Sequence, residues 1–177
     1  ISSGIDKKTG LQVISLYGKH LKPTAEDLKN VDVVIFDIQD VGARFYTYIS
    51  TLQYIMEACA DFGKTLLILD RPNPNGFYID GPILQKEFKS FVGMASIPVV
   101  HGMTVGEYAK MLAGEKWLDS KKSLEMKIIE VKNYSHSDLY KVPIRPSPNL
   151  PNMHSIYLYP SLCFFEGTAV SLGRGTS

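Results

Sequence analysis

The sequence predicts an α/β fold built on a parallel sheet flanked by helices, and three observations carry that prediction. Val33-Val34-Ile35-Phe36-Asp37-Ile38 is continuously apolar until its end, as expected of a strand covered on both faces. Phe45, Tyr48, Ile49, Leu52, Ile55, Met56 and Cys59 then recur at helical spacing, with Gly63 placed to end the helix. Thr65-Leu66-Leu67-Ile68-Leu69-Asp70 follows at once as a second strand. Strand, helix and strand in that order form a βαβ unit, whose right-handed crossover puts both following loops on one edge of the sheet. The first strand is expected to be central, and Asp37 and Asp70 are expected near one another.

The remaining elements follow in order. Arg71-Pro72-Asn73-Pro74-Asn75-Gly76 reads as an ordered polar loop, because its prolines forbid ladder bonding and Asn-Gly favours a tight turn. Ile97-Pro98-Val99-Val100 is a short strand candidate, and Thr104 with Glu107 three positions on makes a capping box for a helix to about Leu112. His101-Gly102-Met103 then falls in a strand-to-helix turn. Leu124 to Val131 is the next strand, after which Pro143, Pro146, Pro148 and Pro151 crowd a long irregular stretch. His154 to Phe165, with Pro160 inside, reads as a kinked helix or two short pieces, the helix being favoured. The glycine-rich turn Gly173-Arg174-Gly175 ends the chain without a closing element, so a longer parent is expected.

At 177 residues and 45% hydrophobic content the chain can bury one sizeable core, and residues 1–177 are taken as a single domain whose stretch 143–177 leads toward a second. A formal charge of +1 and the lack of any long Lys or Arg run argue against a nucleic-acid partner. No apolar run approaches the length of a membrane span, and Ile1-Ser2-Ser3-Gly4-Ile5-Asp6 lacks the basic-then-apolar order of a signal peptide. Cys59 and Cys163 both fall at apolar positions and read as small core residues.

Ligands of open parallel sheets bind beyond the carboxyl ends of the strands, which makes Asp37, Gln39, Asp40, Arg44, Asp70, Arg71, Asn73, Asn75 and His101 the first candidates. Neither the glycine pattern of a dinucleotide site nor that of a nucleoside triphosphate site is present. Asp37 and Asp40 could hold Mg²⁺ for phosphoryl transfer, as hard cations take carboxylate oxygens at such places, yet no phosphate-cradling loop follows. Equally, one could cap a helix and the other pair with Arg44. Arg44-Phe45-Tyr46-Thr47-Tyr48 adds rings that stack on sugar faces to groups that hydrogen-bond hydroxyls. His101 has the chemistry of an acid, a base or a structural hydrogen bonder, and no zinc spacing accompanies it. Glu107 reads as a helix cap. Glu166, after Leu162 to Phe165, reads either as a general acid raised by burial or as a helix-end carboxylate.

Taken together, the chain resembles the NamZ family of bacterial exo-β-N-acetylmuramidases. The resemblance rests on Thr9-Gly10-Leu11, Ser15-Leu16-Tyr17-Gly18, Phe36 to Gly42 with Arg44 to Tyr48, and Leu69-Asp70-Arg71-Pro72-Asn73-Pro74. It extends through His101-Gly102-Met103-Thr104, Pro146 to Asn152, Tyr159 to Cys163 and Phe165-Glu166-Gly167-Thr168. It implies a Rossmann-like domain followed by a smaller one, and a glycosidase that removes terminal N-acetylmuramic acid from the non-reducing end of peptidoglycan fragments. It further implies no metal or organic cofactor, a muropeptide or disaccharide partner, and a secreted or periplasmic setting. The family carries an upstream Glu-His-Gly segment implicated in catalysis, which these residues do not contain. On this basis the expected catalytic set is Glu166, Asp37, Asp40 and His101. The expected substrate-binding set is Gln39, Arg44, Tyr46, Asp70, Arg71, Asn73, Asn149, Asn152 and Arg174. Because the muramic lactyl group is a carboxylate, one of Arg44, Arg71 and Arg174 is expected to supply selectivity over N-acetylglucosamine. A non-catalytic muropeptide-binding module and a metal-dependent phosphohydrolase on Asp37 and Asp40 are the alternatives.

Overall fold

The computed structural model describes residues 3–170. A short antiparallel pair comes first, β1 (Gly4–Ile5) with β2 (Gln12–Val13), its connection closed by the Asp6 carboxylate accepting from Thr9 N at 2.8 Å. The main sheet contains β3 (Val33–Phe36), β4 (Thr65–Leu69) and β5 (Met126–Ile129), all parallel, in the order β3-β4-β5.

The α/β class is therefore as the sequence predicts, while the position of β3 is not. β4 is the central strand of the described sheet, and β3 lies at its side. Nor is β3 covered on both faces: Phe36 is buried, but Val33 and Ile35 are 48% and 58% exposed. The helices α1 (Tyr48–Phe62) and α2 (Val105–Gly114) contact each other and both contact β4. The core lies on that side, where Phe36, Leu66 and Ile68 meet Leu52, Met56, Tyr108 and Leu112. A run that is apolar at every position looks the same whether one face or two are buried, which is why the pattern misled.

α1 begins at Tyr48, so Phe45 precedes it. A turn holds residues 43–46 out of the helix: Arg44 N donates to Val99 O at 2.7 Å and Tyr46 N to Ala43 O at 2.8 Å. Gly63, at φ 64°, ends α1 in the left-handed conformation that glycine adopts without strain. α2 has both halves of its predicted capping box, Glu107 N on Thr104 Oγ1 and Thr104 N on Glu107 Oε2.

Residues 97–100 do not form the expected strand. Pro98 removes a ladder donor, and Val100 makes isolated antiparallel bridges to Ala43 and Asp80. The segment acts as a cross-tie between loops. The strand expected over Leu124 to Val131 is β5, shorter than predicted. α3 (Met153–Leu162) contains Pro160 and is followed by a 3₁₀ turn, Cys163–Gly167, so both readings of this stretch hold in part. α3 packs Ile156 and Tyr159 against Val41, Ala43, Val99 and Val100 in a second apolar cluster. Both cysteines are free and buried. Among the described residues no helix is long and apolar enough to cross a membrane.

Candidate functional site

β3 and β4 end side by side, because Phe36 pairs with Ile68, and the loops that follow share one edge as predicted. Asp37 and Asp70 are linked there through Arg71. Arg71 Nε and Nη2 both approach Asp37 Oδ1, at 2.8 and 2.6 Å, and this pair is partly exposed. Asp70 instead turns inward. Its carboxylate accepts from Thr104 Oγ1 at 2.8 Å, Gly106 N at 2.8 Å and Arg71 N at 3.0 Å, placing a negative charge at the positive end of α2. Gly106 is needed for this approach, since a Cβ there would lie 2.7 Å from Asp70 Oδ2.

The next residues of the predicted set are spent on the backbone. Gln39 Nε2 donates to Asp40 O at 2.7 Å and Pro72 O at 3.0 Å. Asn73 Nδ2 donates to Met103 O at 2.9 Å while its Oδ1 accepts from Asn75 N at 2.8 Å, and Asn75 Nδ2 reaches Val41 O at 2.8 Å. Gly42, at φ 75°, lies so close to Asn73 that an added Cβ would overlap its amide. Arg44 is buried, with Nη1 on Ile97 O at 2.7 Å and its guanidinium over the Phe45 ring at 5.3 Å.

Asp40 and His101 form the most unusual electrostatic unit. Asp40 Oδ2 accepts from Gly42 N at 2.7 Å and lies 3.8 Å from His101 Nε2. Met103 N donates to His101 Nδ1 at 3.2 Å, which makes Nδ1 an acceptor and assigns the ring proton to Nε2. Burial pushes the Asp40 carboxyl up to about 7, and burial together with the Arg44 charge pushes His101 down to about 4. Among the described residues Asp40 Oδ1 and His101 Nε2 have no hydrogen-bond partner. Both groups are buried, so neither is presented to bulk solvent.

Asp37 and Asp40 consequently do not converge: the first faces solvent beside Arg71, and the second is enclosed. Among the described residues no three His, Cys, Asp or Glu side chains gather as a metal site would require. The phosphohydrolase alternative finds no support in this arrangement.

A cavity of about 600 Å³ opens where the turn before α1 meets α3. Phe45, Tyr46, Tyr48 and Tyr159 give it aromatic walls, and Ser147, Asn149, Asn152 and Glu166 bring polar groups. Tyr46 stands edge-on to Tyr48 at 4.7 Å and to Tyr159 at 5.5 Å, so the rings hold one another in place. Burial pushes the Tyr46 hydroxyl well above its ordinary range, and Tyr48 OH donates to Pro146 O at 3.2 Å. Asn152 also caps α3, its Oδ1 accepting from Ser155 N at 2.9 Å. Glu166 is exposed, so the burial expected of a general acid is not supplied by the described residues.

Four of the predicted residues, Tyr46, Asn149, Asn152 and Glu166, thus meet in one cavity, while Asp37 and Arg71 stand together on the sheet edge. Gln39, Asp40, Arg44, Asp70, Asn73 and His101 lie in the wiring between loops, and Arg174 lies outside the described residues. Sequence reasoning missed Ser147 and Tyr159. Tyr159 belongs to the same helical face as the buried Ile156, a spacing that Pro160 obscures. A second cavity, about 550 Å³, is lined by Phe77, Tyr78, His101 and Met103, with His136 Nε2 2.9 Å from Glu107 Oε1 beside it.

Residues 1–154 match the family model described as exo-beta-N-acetylmuramidase NamZ, N-terminal. The chain is 48% identical over 182 residues to the peptidoglycan beta-N-acetylmuramidase NamZ of Bacillus subtilis (strain 168), an alignment covering 100% of this chain and 43% of that protein. Two crystal structures of DUF1343 family proteins from Bacteroides fragilis NCTC 9343 are similar throughout. The first has 56% identity and a TM-score of 0.90, covering 98% of this chain and 48% of its own. The second has 40% identity and a TM-score of 0.85, covering 92% and 43%. The chain spans less than half the length of each of these relatives.

Proposed function

The chain belongs to the NamZ exo-β-N-acetylmuramidase family, and from that premise we propose that it supplies the sugar-holding part of a glycoside hydrolase. The reaction is release of terminal N-acetylmuramic acid from the non-reducing end of a peptidoglycan-derived muropeptide or disaccharide. Beyond family membership, the single observation that supports this reading is the cavity lined by Tyr46, Tyr48 and Tyr159 together with Ser147, Asn149 and Glu166. Ring faces bind the apolar C–H surface of a pyranose, and amide and hydroxyl groups bind its hydroxyls and acetamido group.

Glycoside cleavage needs an acid to protonate the leaving oxygen and a second group to attack or stabilise the anomeric carbon. Glu166 is the carboxyl group of this cavity, and its proposed role is to protonate the leaving oxygen. The second group then comes from outside the cavity described. Because peptidoglycan lies beyond the cytoplasmic membrane, the proposed setting is secreted or periplasmic, to be checked by cell fractionation. The activity is tested with a chromogenic N-acetylmuraminide, using this chain and a version extended upstream. Release by the extended version is the expected result. Binding of N-acetylmuramic acid in calorimetry with release by neither version would reduce the protein to a binding module, and absence of both would overturn the proposal.

A further inference from the structure

We propose that Arg71, held by Asp37, is the residue that distinguishes N-acetylmuramic acid from N-acetylglucosamine, by binding the lactyl carboxylate that only the former carries. The inference rests on the muramidase reading above. It starts from the exclusion of Arg44, whose guanidinium is buried on Ile97 O and over Phe45 and so faces no ligand. Arg145 is exposed in the proline-rich stretch, and no carboxylate among the described residues pairs with it. Arg71 alone among the described arginines stands on the carboxyl edge of the sheet, partly exposed, in a fixed orientation.

The geometry of the pair fits recognition as well as structure. Asp37 engages the Nε and Nη2 nitrogens through one oxygen, Oδ1. Of the five N–H donors of a guanidinium, three then remain, on the Nη1 and Nη2 side, where a second carboxylate can be gripped by two parallel bonds. No further partner among the described residues occupies them. A planar fork held from one side and open on the other is pre-oriented, so little freedom is lost when an anion arrives. Asp37 also heads the connection from β3 to α1, which carries Phe45 and Tyr46 and leads into Tyr48 at the start of α1, so the residue that holds Arg71 and three rings of the aromatic cavity lie on one continuous stretch of chain.

The test uses the intact protein containing this chain and three 4-nitrophenyl β-glycosides: the N-acetylmuraminide, its lactyl methyl ester and the N-acetylglucosaminide. Wild type should favour the free acid. Arg71→Ala should lower kcat/KM for the free acid by on the order of 30-fold while leaving the ester and the glucosaminide unchanged. Arg71→Lys, which keeps the charge without the fork, should fall between. An equal loss on all three substrates would make Arg71 structural and overturn the inference. So would a preference that survives Arg71→Ala, above all one abolished by Arg174→Ala. Activity of the wild type that ignores the lactyl charge defeats the inference alone, whereas inactivity on all three substrates defeats the muramidase reading with it.

Discussion

The loop junction at the carboxyl edge of the sheet and the cavity at α3 use the same kinds of side chain to opposite ends. In the junction, Asp40, Asp70, Asn73, Asn75 and His101 point at backbone groups and at one another, and most are buried. In the cavity, Asn149 and Glu166 are exposed and the aromatic rings carry the packing. The difference teaches that a polar residue after a strand is as often the fastening of a loop as the contact of a ligand. Substitutions in the junction should therefore act on stability, and substitutions in the cavity on ligand binding.

The largest effect belongs to Gly42→Ala. A left-handed backbone and a Cβ placed on the Asn73 amide together should cost about 4 kcal/mol, read as a lowered midpoint in urea unfolding. Retained stability would mean that the Asn73 loop is free to move aside, and the rigid junction would be the wrong description. Asp70→Ala comes next. It strands the donors of Thr104 and Gly106 at the start of α2, for an expected loss of about 3 kcal/mol with sugar affinity per folded molecule unchanged.

Asp40 and His101 sharpen the comparison through pH. A carboxyl raised to about 7 keeps its proton in the folded state after the unfolded chain has lost it, so its contribution falls as pH rises toward about 7. A histidine lowered to about 4 is neutral in the folded state while the unfolded chain is protonated, so its contribution falls as pH drops from its ordinary range, near 6.5, toward about 4. Between about 4 and 6.5 the two slopes are opposite, and the wild-type pair should leave stability nearly flat. Asp40→Asn should uncover the histidine slope, with stability rising by about 1 kcal/mol per pH unit over that window, and His101→Gln should uncover the reverse. Equal pH profiles for the two variants would show that the groups do not titrate as this environment requires.

Much of the fold was legible because its signals are local. The period of α1, its terminating Gly63, the Thr104–Glu107 capping box and the two strands around α1 all follow from the sequence. What was not legible depends on distant partners. The exposed side of β3 reflects where both helices pack, and the cross-tie at Val100 depends on Ala43 and Asp80, far away in the chain. The candidate site divides in the same way. Aspartates after strands were correctly located at the sheet edge, but only the contacts of Asp70 with α2 reveal a fastening, and only the approach of α3 to the turn before α1 reveals the cavity.

The smallest stability effect is expected at the cavity, and it separates the two roles proposed there, holding a sugar and cleaving it. Asn149→Ala and Glu166→Gln replace exposed side chains, so each should change stability by less than about 0.5 kcal/mol. Asn149→Ala should weaken binding of N-acetylmuramic acid by about 5-fold, the worth of one hydrogen bond. Glu166→Gln keeps size and hydrogen bonding but cannot donate the carboxyl proton, so in the upstream-extended protein it should bind normally and lose turnover. Full turnover by Glu166→Gln would move the acid out of this cavity, leaving the cavity only to hold the sugar. If instead Asn149→Ala changed stability as strongly as Asp70→Ala does, the division between fastening and contact residues would fail at its clearest point.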